Sequence, residues 1–158
     1  MIARPALILM VFAQIGGAAL SQAQSPKMIG SWKVEITFAN GESRSLRFDA
    51  RDSGKGSLLS LDPRSNFWEP AKTSTAKWTQ GDGNSVTFSG AIEFPIGNVG
   101  RDAGKLVFKG KFGTEASITG EVTFFSLDQD PNNPKARPSK GGTFKAIRAA
   151  GDDIESRN

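Results

Sequence analysis

Trp32-Lys33-Val34-Glu35-Ile36-Thr37-Phe38 alternates apolar and polar side chains without a break, and Asn40-Gly41 follows directly. In extended backbone successive side chains point to opposite faces. Trp32, Val34, Ile36 and Phe38 therefore share one face, and Lys33, Glu35 and Thr37 the other. Asn-Gly is the hairpin-turn signal, because both residues tolerate positive φ. Leu46, Phe48 and Ala50 then resume the pattern opposite Ser45, Arg47 and Asp49. Both apolar sets fall on even numbers, so paired residues must sum to an even number. The turn accordingly holds three residues, or a bulge, rather than two.

The same reading extends along the chain. Leu58–Leu61 and Ala76–Gln80 are expected as the third and fourth strands. Val86, Phe88, Ile92 and Phe94 define a fifth; Leu106, Phe108 and Phe112 a sixth; Ile118, Val122 and Phe124 a seventh; Phe144–Arg148 an eighth. Gly90, Gly110 and Gly120 interrupt three of these apolar faces, and pairing Phe112 with Ile118 sets Gly110 across from Gly120. Glycine inside a strand marks a bend or a close approach by backbone or ligand. The expected fold is all-β: an eight-stranded antiparallel up-and-down barrel over residues 24–149, with a β-sandwich as the alternative that gives the same alternation. In such a meander, alternate connections gather at the same end. The segments Arg51–Gly56, Gly81–Asn84 and Gly113–Ala116 read as compact turns at one end. Asp62–Thr75, Pro95–Gly104 and Asp128–Gly141 read as long loops around the opposite rim. Long connections in compact domains are often functional.

Residues 1–23 read as a cleavable export signal. Arg4 supplies the positive n-region, Ala6–Ala13 a short apolar core and Ser21-Gln22-Ala23 the small-x-Ala site. The expected location is periplasmic or extracellular, in a bacterial envelope, with no membrane span left after cleavage and a polar tail over 150–158. The 158 residues contain no cysteine, so no disulfide supports the fold, and no His or Tyr. These absences remove imidazole bases, Ser-His and Cys-His nucleophile pairs, phenolic acids and the usual zinc, copper and haem ligands. No catalytic residue, metal or cofactor is expected. Glu35, Glu93 and Glu121 would be the carboxylates of a residual acid-base enzyme, but nothing in the sequence sets two of them across a cleft.

The formal charge is +4, with 20 basic residues interspersed among 16 acidic ones. Lys105, Lys109 and Lys111 share one strand face, read as a solvated face rather than a nucleic-acid strip. Asp128-x-Asp130-x-Asn132 begins like a calcium loop but has Asn133 and Ser139 where that loop needs Gly and Glu. Gly54-Lys55-Gly56-Ser57 lacks the strand-to-helix context of a phosphate cradle and reads as a turn.

Gly30-Ser31-Trp32 resembles the G-x-W motif of lipocalins, in which an Arg near the end of the last strand packs across the Trp. Arg148 stands at the matching place, and the eight-strand layout is similar to that of the wider calycin group. The Thr-Asp-Tyr motif is absent, as are a long helix after the last strand and the usual disulfide. The resemblance therefore implies architecture and an interior cavity, without a specific ligand.

Three functions follow as expectations. The first is an exported, non-catalytic barrel holding a small apolar molecule, with Phe88, Phe108 and Phe124 lining its cavity and Phe67 and Trp68 at the mouth. The second is a protein-interaction module, such as a protease inhibitor or an envelope assembly factor. It would act through the loop rim or through an outward apolar patch of Val107, Phe125 and Ile147, which the tail could instead cover through Ile154. The third is an outer-membrane barrel with its apolar face turned outward.

Overall fold

The computed structural model describes residues 28–64, 69–98, 100–114 and 116–150. Residues 1–23, read above as an export signal, Phe67 and Trp68, and the tail beyond 150 with Ile154 lie outside the described residues. The strands are β1 (Gly30–Phe38), β2 (Ser43–Ala50), β3 (Lys55–Ser60), β4 (Ser74–Gln80), β5 (Ser85–Ile96), β6 (Gly100–Phe112), β7 (Ser117–Ser126) and β8 (Lys140–Arg148). Each pairs antiparallel with its chain neighbour, and β1 also pairs with β8, so the sheet closes on itself as a barrel and not a sandwich.

The parity argument is realised in the first hairpin. Trp32 faces Phe48 and Val34 faces Leu46. The Phe38 N–H donates to the Glu42 carbonyl at 2.9 Å, leaving Ala39, Asn40 and Gly41 as a three-residue turn. Gly41 has φ +84°, the left-handed conformation that closes such a loop without a Cβ clash.

Even-numbered residues of the strands point inward, Ile96 at the tip of β5 excepted, and the apolar ones form one continuous core from Met28 to Ala146. The outward faces carry Lys, Thr, Ser and Glu. This is the reverse of the outward apolar band that a membrane-spanning barrel turns to lipid. No helix among the described residues is long and apolar enough to cross a membrane. Gly110 does lie across from Gly120. A Cβ at Gly110 would come within 2.8 Å of the Phe144 ring, and one at Gly120 would meet the backbone of Lys109 and Gly110, so the space these glycines leave is occupied by the barrel itself.

One rim segment departs from expectation. Pro95–Gly104 is not a long loop: β5 and β6 run on as a paired arm, from Ile92 opposite Gly104 to Ile96 opposite Gly100, with only a three-residue turn between them. Pro95 fits there because its carbonyl, which accepts from Arg44 at 3.2 Å, points away from β6. Its nitrogen points the same way, so the missing N–H breaks no ladder bond. An ion pair of Arg101 with Glu93, at 2.7 Å, further ties the arm together. Two long connections remain at this end, 61–73 and 127–139.

Candidate functional site

The residues expected around an interior cavity meet one another instead. Phe88 stacks between Phe48 and Phe108, with ring centroids at 4.6 and 4.2 Å. The edge of Phe144 closes on Phe88 at 5.5 Å and on Phe108 at 5.1 Å. These rings come from β2, β5, β6 and β8, on different sides of the barrel, so their contact fills its cross-section. Phe124 lies one layer toward the rim, 6.3 Å from Phe94. A closed eight-stranded barrel is just wide enough either for this filling or for one small ligand.

Above the aromatic layer the inward positions change character. Glu42, Arg44, Asp62, Asp102 and Lys140 meet at the rim end, where the even-numbered pattern continues in charged residues. Arg44 binds Glu42 through its Nε at 2.7 Å and pairs with Asp62 at 3.2 Å. Lys140 reaches Glu42 at 2.8 Å and Asp102 at 2.6 Å. Beneath them, Arg44 sits 5.0 Å from the Phe94 ring, and Lys140 5.6 Å from both Phe38 and Phe124. The lattice thus covers the apolar interior with cations over ring faces and carboxylates between them.

The protonation states follow from this geometry. Burial alone pushes the Glu42 carboxyl up, but hydrogen bonds from Lys140, Arg44 and Asn40 outweigh it and hold the group at about 2. Burial pushes Lys140 down, and its bonds to Asp102 and Glu42 outweigh that in turn, raising it above its ordinary value. Each of the five side chains has a partner of opposite formal charge. Sequence reading missed this cluster, although one signal was present: Glu42, Arg44, Asp62, Asp102 and Lys140 share the even parity of the core.

The opposite end holds the motif residues. Trp32 is buried, its indole N–H donating to the Met28 carbonyl at 2.8 Å. Arg148 is its cross-strand partner on β8 and lies 4.4 Å from its ring. The same guanidinium donates to the Ile29 carbonyl at 2.7 Å, across the space that a side chain at Gly30 would take. Gly30, Trp32 and Arg148 therefore close this end as a unit.

The expected outward patch is not contiguous. Val107 faces Thr123, and Phe125 lies diagonally beside it, opposite Lys105. Ile147 is opposite Ser117, at the other end of β7, about 26 Å along the strand from Phe125. Ile147 is half exposed, whereas Phe125 is nearly covered. The exposed aliphatics at the loop-bearing end are instead Leu61, Ile96 and Leu127, with relative exposures of 37%, 49% and 78%. Each stands where a strand gives way to a rim connection.

Fold and site together define a closed, eight-stranded antiparallel up-and-down barrel, compatible with the calycin arrangement. Compared with known protein families and with curated proteins, the chain matches none.

Proposed function

We propose that this protein is an exported, non-catalytic barrel of calycin type that docks a protein partner through its loop-bearing rim. The observation that carries the reading is the placement of Leu61, Ile96 and Leu127 in solvent at three rim connections of a barrel whose apolar face is otherwise turned inward. Aliphatic side chains on such connections fit a partner contact. The ion lattice beneath them gives the rim a fixed base. Calycin kinship draws support from the geometry of Trp32 and Arg148. An interior carrier site at Phe88, Phe108 and Phe124 draws none from the packing, since those rings touch protein on the sides where a ligand would lie.

The test compares the wild-type protein with the double variant Ile96→Asp/Leu127→Asp by chemical cross-linking in the native envelope. A specific protein adduct present with wild type and absent with the variant, at unchanged melting temperature, is the expected result. Equal recovery from both would overturn the rim reading. An apolar molecule released from the natively purified protein by organic extraction would put the interior carrier in its place.

A further inference from the structure

The outer wall of the barrel carries a groove of about 840 Å³ where β3, β4, β5 and β6 pass side by side, and four cations line it: Arg51, Lys55, Lys77 and Lys105. Asp52 is the one carboxylate among the described residues that line it. Pairing of successive strands brings this group together from the turn after β2 and from β3, β4 and β6. Lys55 lies directly opposite Lys77, and Lys105 opposite Ala91. Like charges directly across a strand pair are destabilising. Several surface cations elsewhere are matched: Lys33 with Glu35, Arg47 with Asp49, Arg101 with Glu93. Among the described residues, no ion pair joins any of the four groove cations to a carboxylate.

The groove also has a floor and a fixed wall. Ser89 and Ala91 are small outward residues on β5, set between the long stems of Lys77 and Lys105. Its wall is the turn 51–54, held by Trp78, whose indole N–H is shared between the Arg51 and Lys55 carbonyls, 2.9 Å from each. Ser53, Thr75 and Ser89 add hydroxyls to the lining. Along β6, Lys109 and Lys111 carry positive charge onward from Lys105, about 20 Å in all. Concentrated, unpaired positive charge over a preformed recess favours a polyanion.

We propose that this groove binds an anionic polysaccharide, its carboxylate or sulfate groups on Arg51, Lys55, Lys77 and Lys105 and its hydroxyls on Thr75 and Ser89. Three features select this occupant. Among the described residues the lining carries no aromatic side chain, the platform on which single-stranded nucleic acid stacks its bases. The cations border a recess, which a flat lipid surface cannot enter. The hydroxyl-rich floor suits the many donors and acceptors of a sugar ring. The site lies on the wall, apart from the rim, so it does not rest on the partner reading given above.

The experiment measures binding of a sulfated heparin octasaccharide to the full protein by fluorescence anisotropy at low and physiological salt. The expected result is salt-dependent binding that Lys55→Gln/Lys77→Gln weakens by about tenfold or more, with a shallower salt dependence. Lys33→Gln/Lys145→Gln, on β1 and β8, leaves it unchanged. The groove variant also keeps or raises the melting temperature, because the opposed Lys55 and Lys77 no longer repel; a loss of binding therefore reports the site and not the fold. Equal binding by both variants would overturn the proposal. So would tighter binding to single-stranded DNA, or to vesicles of three parts phosphatidylcholine to one part phosphatidylglycerol, than to the octasaccharide.

Discussion

The barrel interior contains two layers built by the same alternation and held by opposite physics. In the middle, Phe48, Phe88, Phe108 and Phe144 exclude water and need only shape to be satisfied. At the rim, Glu42, Arg44, Asp102 and Lys140 occupy equivalent inward positions, but each must find a partner before desolvation is repaid. The apolar layer is a source of stability; the charged layer is a closure whose members depend on one another. Truncating a member of the first loses packing. In the second it also strands a charge, and the result becomes dependent on pH.

The largest effect should come from the middle layer. Phe88→Ala is expected to cost about 3–5 kcal/mol in urea-induced unfolding, since the ring is fully enclosed and its neighbours on β2 and β6 cannot collapse into the space. A loss under about 1 kcal/mol would mean that the aromatic layer is loosely packed and would erase the contrast between the layers.

Next comes the rim. Lys140→Ala leaves Asp102 without its ion pair and Glu42 with Arg44 and Asn40 alone, a predicted loss of about 1–3 kcal/mol near neutral pH. Glu42 is held at about 2, below its unfolded value near 4.5. Its contribution is therefore fully present above that unfolded value and is lost as pH falls toward 2. Lys140 is shifted upward, so its contribution is complete below the ordinary lysine value and fades as pH rises through its folded value. Urea titrations from pH 7 to pH 2 should show the wild type losing more stability than Lys140→Ala. Parallel curves would show that the lattice holds little of the protein's acid sensitivity.

The smallest effect belongs to the far end, where closure depends on one cation over one ring. Arg148→Lys keeps the charge but loses the planar stack on Trp32 and the aimed bond to the Ile29 carbonyl. The expected cost is about 0.5–2 kcal/mol in thermal melting. An unchanged melting temperature would show that Trp32 is held by its own burial and its bond to Met28.

How legible was this molecule in its sequence? Strand order, inward parity, the three-residue first turn and the apposition of Gly110 with Gly120 all follow from local alternation, because one shifted register would turn a whole apolar face to water. Pro95–Gly104 was misread because Pro95, Gly97, Gly100 and Gly104 are the usual marks of a loop. What made them compatible with pairing was a nitrogen pointing away from β6, a fact of orientation that composition does not carry. The lattice was missed for a related reason. Glu42 and Arg44 sit beside a turn, where polar residues pass as solvated, and Lys140 is 98 residues from Glu42 in sequence.

The sequence by itself determined an antiparallel all-β meander with one apolar face, because period-two alternation leaves the chain no other way to hide Trp32, Phe48, Phe88 and their kind. That the meander closes was settled by the folded sheet as a whole, and with it what closure brings together: rings stacked across the interior and charges sealing one end. Alternation specifies which face a side chain occupies. Which residue lies across the barrel, or three strands around it, depends on register, stagger and closure, and those are properties of the whole sheet.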